Sequence, residues 1–399
     1  MVEIATIATF LIAAVASMFM AWAIGAGSSG STPFAPAVGA NAISVMRAGF
    51  LVGILGFAGA VLQGMNVSET MGEDLIGGVV LSPSAATIAL VIAATLVAIG
   101  IFTGYPIATA FTATGAVIGV GLAMGGDPAW STYTEIAAMW ILTPFVGIAL
   151  AYVIARALRD EPLPERYVMI GLAGLVGLLV ANIEFAVLGS DGDGASLAET
   201  IGSLLPVPAV VGIVIGTVGM ILLWVVPTAL AVRNDPERAQ RRFLLVMGGL
   251  VAFSAGGSQV GLAIGPLVPL SGDIGLPMLA LLFGGGVGLL VGSWTGAPRM
   301  IKAISQDYSS LGPRRSIAAL IPSFAIAQAA VLFGIPVSFN EIIVSAIIGS
   351  GYAASGSGGG VSARKMGYTV LAWIASLTGA ILIAFTGYWT FSLAVSSLF

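Results

Sequence analysis

A chain of 399 residues that is 58% hydrophobic and 8% charged, with a mean hydropathy of +1.06, is an integral membrane protein, because soluble chains carry about 25% charged residues. Its net charge of −4, pI of about 4.8 and lack of any extended basic patch exclude a nucleic-acid partner. With no cysteine and no histidine it lacks disulfides and the commonest zinc, haem and iron–sulfur ligand sets, so no metal site and no cofactor is expected.

The apolar runs are continuous rather than alternating, which predicts an all-α integral membrane protein and not a barrel. About twelve membrane segments are expected, at 4–24, 43–64, 77–101, 105–124, 135–155, 167–188, 205–232, 243–270, 275–296, 316–333, 336–353 and 367–395. The first is too long for a signal-peptide core and lacks a basic leader, so it reads as a retained span. It runs directly into "GAGSSGSTPFAPAVGANAIS", whose glycines, Pro33 and Pro36 predict a broken helix over 25–36 carrying Ser28, Ser29, Ser31 and Thr32. The fourth segment opens after Pro106 with Thr109 and Thr112. The sixth holds Glu184 near its end. The eighth contains a second glycine–serine stretch, read as a break near 254–266 with Ser254, Ser258 and Gln259. The eleventh opens after Pro336 with Ser338, Asn340 and Glu341.

The basic residues are concentrated in 156–166, 233–242 and 298–315, which fall on one side if the segments alternate, together with Arg47, Arg364 and Lys365. The acidic loops 65–76, 125–134 and 189–203 fall opposite. The positive-inside rule then places the basic loops in the cytoplasm and both termini outside. Gly25 and Gly256 begin similar motifs 231 positions apart, and Pro106 and Pro336 begin another pair 230 apart. This predicts two inverted-topology repeats, residues 1–157 (segments 1–5) and 243–399 (segments 8–12), joined by segments 6–7 in 158–242.

Backbone leaves a helix at membrane depth only where protein or a watery cavity satisfies it. Gly and Ser also serve close helix packing, but paired polar breaks in matched halves point to a substrate site. Neutral hydroxyl and amide donors at helix starts suit an inorganic anion. The expected substrate-binding residues are therefore Ser28, Ser29, Ser31, Thr32, Thr109, Thr112, Ser258, Gln259, Ser338 and Asn340. Glu341, an ionisable group inside an apolar segment, is expected to set coupling or selectivity. Glu184 is a second intramembrane carboxylate candidate.

The motifs resemble those of the inorganic phosphate transporters (PiT), which carry two "GANDVANA" and two "PVSTTH" signatures in inverted halves. "FSAGGSQVGLAIGPL" (253–267) is similar to the second of the former, and "GIPVSFNEIIVSAIIGSG" and "GYPIATAFTATGAVIGVGLA" to the latter pair. "GMNVSETM" (64–71) and "GAPRMIKAISQDYSSLGPRR" (296–315) also match family segments. The resemblance implies a secondary transporter of inorganic phosphate, coupled to Na+ or H+, in a homodimer. The family's signature Asn and Asp fall at Gly27 and Ser28 and again at Ser258 and Gln259, so both aspartates are replaced. Its "STTH" set becomes Ala108 to Phe111 in the first half and Ser338 to Glu341 in the second. A sulfate or other oxyanion permease of the same fold, or an uncoupled anion channel, are the alternatives. An enzyme is not expected, since no His or Cys is present to supply the usual nucleophile–base pair or metal set.

Overall fold

The computed structural model describes residues 4–104, 107–159, 164–185, 188, 194–307, 311–353 and 363–397. Pro106, the 189–193 part of the acidic loop and the side chains of Arg364 and Lys365 lie outside the described residues.

Helix α1 (Ile4–Ile24) is followed by a π-helical turn, Gly25–Ser29, and the short α2 (Ala35–Gly39). Then come α3 (Val45–Gln63), α4 (Met65–Glu69), α5 (Pro83–Thr103), α6 (Thr109–Ala123) and α7 (Trp130–Ala157). A middle group holds α8 (Glu165–Ala181), α9 (Leu197–Ser203) and α10 (Ala209–Asn234). The last part holds α11 (Pro236–Ile264), α12 (Val268–Ile274), α13 (Met278–Thr295), α14 (Ala297–Asp307), α15 (Pro313–Leu332), α16 (Phe339–Tyr352) and α17 (Ala363–Ser396).

Among the described residues nine stretches are long and apolar enough to cross a membrane. Each expected segment holds one helix, but α6, α8 and α16 have 15, 17 and 14 residues and fall short of the 18 that such a stretch requires. Local signals set the helix ends. Pro83 follows the N-cap Ser82, whose hydroxyl accepts from Ala85 N–H, and Gly104 closes α5 in the left-handed conformation at φ 77°. Asp235 caps α11 in the same way by accepting from Arg238 N–H at 3.0 Å.

The helices of the two ends exchange partners. α1 packs on α5 and α13, and α11 on α15 and α3; α6 packs on α17, and α16 on α7. Glycines bring these pairs into backbone contact. A Cβ on Gly256 would lie 1.8 Å from Gly56 O, and one on Gly59 the same distance from Phe253 O. At the α1–α13 crossing a Cβ on Gly25 would lie 2.2 Å from Leu289 O, and one on Gly292 2.1 Å from Trp22 O. This close crossing corrects one expectation. α11 is not broken at Ser254, Ser258 or Gln259; it runs as regular helix past them to Ile264, and the interruption, a 3-10 turn at Gly265–Leu267, comes only at the far end of the expected stretch. The glycines before it serve the contact with α3 rather than a break.

The basic loops gather together, and two of the acidic loops pair with each other. Arg314 donates to both Glu165 oxygens, at 2.9 and 2.6 Å, and Gln240 donates to Glu165 Oε1. Glu165, Gln240 and Arg314 come one each from the three basic loops, which therefore meet at one end of the bundle. Elsewhere strand β1 (Ile76–Gly77) pairs with β2 (Asp127–Pro128), and Tyr133 Oη donates to Leu75 O at 2.7 Å, joining two acidic loops. Strand β3 (Glu184–Phe185) pairs with β4 (Ala195–Ser196). Glu184 is thus not intramembrane in a helix: α8 has ended at Ala181, and the Glu184 side chain is exposed. Between the two ends the outward faces of α1, α5, α7, α10 and α17 expose Leu11, Phe102, Phe145, Leu223 and Leu382, a belt suited to lipid.

Candidate functional site

The break after α1 places a buried carbonyl at the centre of the molecule. Prolines 33 and 36 cannot donate to a helical ladder, so the chain turns there. The Ser28 carbonyl accepts the N–H groups of Ser31 and Thr32, each at 3.0 Å, and also the Ser31 hydroxyl at 3.2 Å and the Thr32 hydroxyl at 3.0 Å. Ser29 directs its hydroxyl to Ile24 O at 3.5 Å, and Thr112 to Ala108 O at 3.0 Å. These four predicted site residues are buried, yet their protons are spent on their own backbone.

Ser28, Thr109 and Gln259 meet directly. Gln259 Oε1 accepts from Thr109 Oγ1 at 2.9 Å and from Ser28 Oγ at 3.2 Å, and the two hydroxyls are 3.3 Å apart. Gln259 Nε2 donates to Val337 O, just ahead of α16. In the other direction Asn340, on α16, donates through Nδ2 to Gly27 O at 3.1 Å and to Ile107 O at 2.7 Å, just ahead of α6. Two side chains of the second half, Gln259 and Asn340, thus brace the chain that leads into both short helices. All of them are 1% exposed or less.

Around this knot lie buried polar atoms that no protein group satisfies: Ser258 Oγ, Ser338 Oγ, Asn340 Oδ1 and Glu341 Oε2. Burying such a group without a partner costs about 1–3 kcal/mol, which a ligand would recover. The starts of α6 and α16 come to the same place, and neither Ala108 nor Ser338 caps its helix through a side chain. Two helix N-termini and two unpartnered hydroxyls, with no basic side chain among them, make a donor-rich candidate pocket of the kind that suits an anion. Because both Asn340 donors are held by carbonyls, its free atom is an acceptor, like that of Glu341. The pocket therefore offers acceptors as well as donors. Among the described residues no group of three or more His, Cys, Asp or Glu is placed to hold a metal ion.

Several participants were not evident from the sequence. Trp140 on α7 donates to Pro336 O at 2.7 Å and stacks on Phe111 of α6 with ring centroids 3.9 Å apart, which fixes the approach to both short helices. Thr143 Oγ1, also on α7, is buried without a partner. Gly147 packs against Ser345 with its Cβ position 3.4 Å away, so Thr143 and Glu341 each sit one turn ahead of that contact. Gln63, which is buried, and Gln328, which is half-buried, form an amide pair beside Ser254. The available signal was polarity inside apolar runs; the pairing itself was not readable.

A family model described as the phosphate transporter family matches residues 24–384. The chain belongs to that family. As a member it is a transporter and not an enzyme, and its apolar helices make it a multi-pass membrane protein. A protein of Thermococcus kodakarensis named as a phosphate permease is 28% identical over 379 residues, covering 86% of this chain and 88% of the relative. The chloroplastic inorganic phosphate transporter 2-1 of Arabidopsis thaliana is 24% identical over 433 residues, covering 95% of this chain and 71% of the relative. A solved structure described as the sodium-dependent phosphate transporter superposes with a TM-score of 0.81, covering 97% of this chain and 99% of its own, at 22% identity. That likeness gives this chain the same fold as its solved neighbour.

Proposed function

We propose that this protein is a secondary transporter that moves inorganic phosphate across the membrane, driven by a sodium or proton gradient. The observation that carries the reading is the meeting of two uncapped helix starts with the unpartnered hydroxyls of Ser258 and Ser338, fully buried, in a chain of the phosphate transporter family. In this reading the unpartnered hydroxyls of Ser258 and Ser338 donate to the phosphate oxygens, Ser28 and Thr109 hold Gln259 in place, Gln259 and Asn340 hold the helix starts in register, and Glu341 takes the coupling proton or cation. The acceptors favour phosphate over sulfate: at neutral pH phosphate carries a hydroxyl that donates to Glu341 Oε2 or Asn340 Oδ1, whereas sulfate has no proton to give. The replacement of the signature aspartates by Ser28 and Gln259 keeps a sulfate permease as the second reading. An uncoupled anion channel is the third.

The exchanged packing partners support two inverted repeats, 1–157 and 243–399, around the connecting 158–242. With the basic end in the cytoplasm, both termini lie outside; a cysteine placed at Arg238 should resist an impermeant thiol reagent applied to intact cells. A homodimer, implied by the family resemblance, is part of the proposal and is checked by cross-linking in native membranes. The function itself is tested with proteoliposomes given labelled phosphate or labelled sulfate, with sodium and proton gradients imposed separately. Gradient-driven accumulation of phosphate is expected. Equal flux with and without gradients would favour the channel, and accumulation of sulfate alone the permease.

A further inference from the structure

A cavity of about 310 Å³ opens at the acidic end of the bundle, lined by Asn66, Asn182 and Glu184 at the loops and by Gln63 and Gln328. Gln63 Nε2 donates to Glu184 O at 3.0 Å and to Gln328 Oε1 at 3.4 Å. Gln328 Nε2 donates back to Gln63 Oε1 at 3.2 Å and on to Ser254 Oγ at 2.5 Å. Ser254 is fully buried, and one helical turn further along α11, about 5.4 Å, is Ser258, whose hydroxyl has no partner. The stem of Gln63 lies against the same helix: a Cβ on Gly257 would come within 2.8 Å of Gln63 Cβ. A line of neutral polar groups therefore leads from the surface cavity through two amides to the edge of the anion pocket, and the reciprocal amide pair stands across it.

The fold does not require this line. At the 231-position offset that relates Ser28 to Gln259, the counterparts of Ser254, Gln328 and Gln63 are Ala23, Val97 and Trp294. Ala23 and Val97 are buried and apolar, and Trp294 donates outward to Phe50 O at 3.2 Å. Of the two matched sets of positions, only the one beneath the cavity carries the ladder. Neutral amides suit a passage for an anion, because they offer donors without the fixed charge that would trap it.

We infer that this cavity is the outer vestibule of the transport path and that the Gln63–Gln328 amide pair is its closure, which parts to let the anion reach Ser258. The inference rests on the transporter reading above. Because the chain has no cysteine, Ser258→Cys supplies a single reporter thiol. A negatively charged, impermeant methanethiosulfonate applied outside intact cells should react slowly with it. Adding Gln328→Ala should speed the reaction about five-fold, the factor set by loss of one ordinary net hydrogen bond. An unchanged rate, or reaction only from the cytoplasmic side, would overturn the closure. A second test does not depend on that variant folding well. Gln63→Cys with Gln328→Cys, joined by a short bifunctional thiosulfonate, should stop labelled phosphate uptake, and reductant should restore it. Continued uptake after verified cross-linking would also overturn it. Labelling of the reporter is independent of the substrate, so accelerated labelling in a protein that transports neither phosphate nor sulfate would remove the proposed function and leave the vestibule standing.

Discussion

Ser258→Ala pulls stability and affinity in opposite directions if its hydroxyl serves a ligand. In the empty protein Ser258 Oγ is buried without a partner, and such a group costs about 1–3 kcal/mol. Removing it should raise the stability of the unliganded protein by about 1 kcal/mol or more, less any loss from the small void. With phosphate bound, the same hydroxyl would make a hydrogen bond to a charged acceptor worth roughly 1.5–3 kcal/mol. At about 1.4 kcal/mol per factor of ten, its loss should weaken phosphate binding by roughly 10- to 100-fold. Thermal unfolding of the purified protein across a phosphate titration measures both effects at once. The variant should start at a higher midpoint and gain less from phosphate, and the concentration for half-maximal uptake should rise in step. A lower midpoint without phosphate would mean that the hydroxyl already has a partner. An unchanged phosphate response would show that the anion binds elsewhere and that the glycine–serine stretch only packs.

Three further outcomes are expected. Glu341→Gln keeps the shape and removes the charge; it should abolish gradient-driven uptake while sparing phosphate exchange if Glu341 carries the coupling ion, or shift preference toward sulfate if it accepts the phosphate proton, and flux assays with both anions distinguish these. Gln259→Leu strands the Ser28 and Thr109 hydroxyls and the Val337 carbonyl, at about 1–3 kcal/mol per stranded group, so thermal unfolding should show a large loss and Thr109→Val should cost less in that background than alone. Gly256→Ala forces its new methyl against Gly56 O and should cost about 3 kcal/mol or more, whereas Gly284→Ala, on α13 with nothing within 4 Å, should not lower the unfolding midpoint.

The sequence was most legible where hydropathy and backbone chemistry act alone. Each apolar run holds a helix, and Pro33 and Pro36 marked the first break because a missing N–H has the same consequence in any context. The second break was misplaced because Gly256 and Gly257 have two uses that look alike in one dimension. They can open a helix or admit a neighbour, and only the position of α3 shows that they admit one. Individual candidate residues were chosen by polarity, so Ser28, Thr109 and Gln259 were named without their mutual bonds. The spending of Ser31, Thr32 and Thr112 hydroxyls on their own backbone was invisible, since it depends on local φ and ψ. The relative sidedness of the loops was legible from charge, and the Glu165–Arg314–Gln240 contacts gather those same loops.

The glycine crossings also limit how the molecule can move. Where side chains interdigitate, helices slide by exchanging rotamers, and the register adjusts in small steps. At Gly256 over Gly56 and Gly292 over Trp22 the touching parts are peptide groups, which have no rotamers to exchange. These contacts behave as pins. On the transporter reading proposed above, motion that exposes the central pocket first to one side and then to the other would turn about them, with amplitude growing with distance from the pin. The elements free to swing farthest are those at the ends of the pinned helices, and the loops that tie those ends together set the stops.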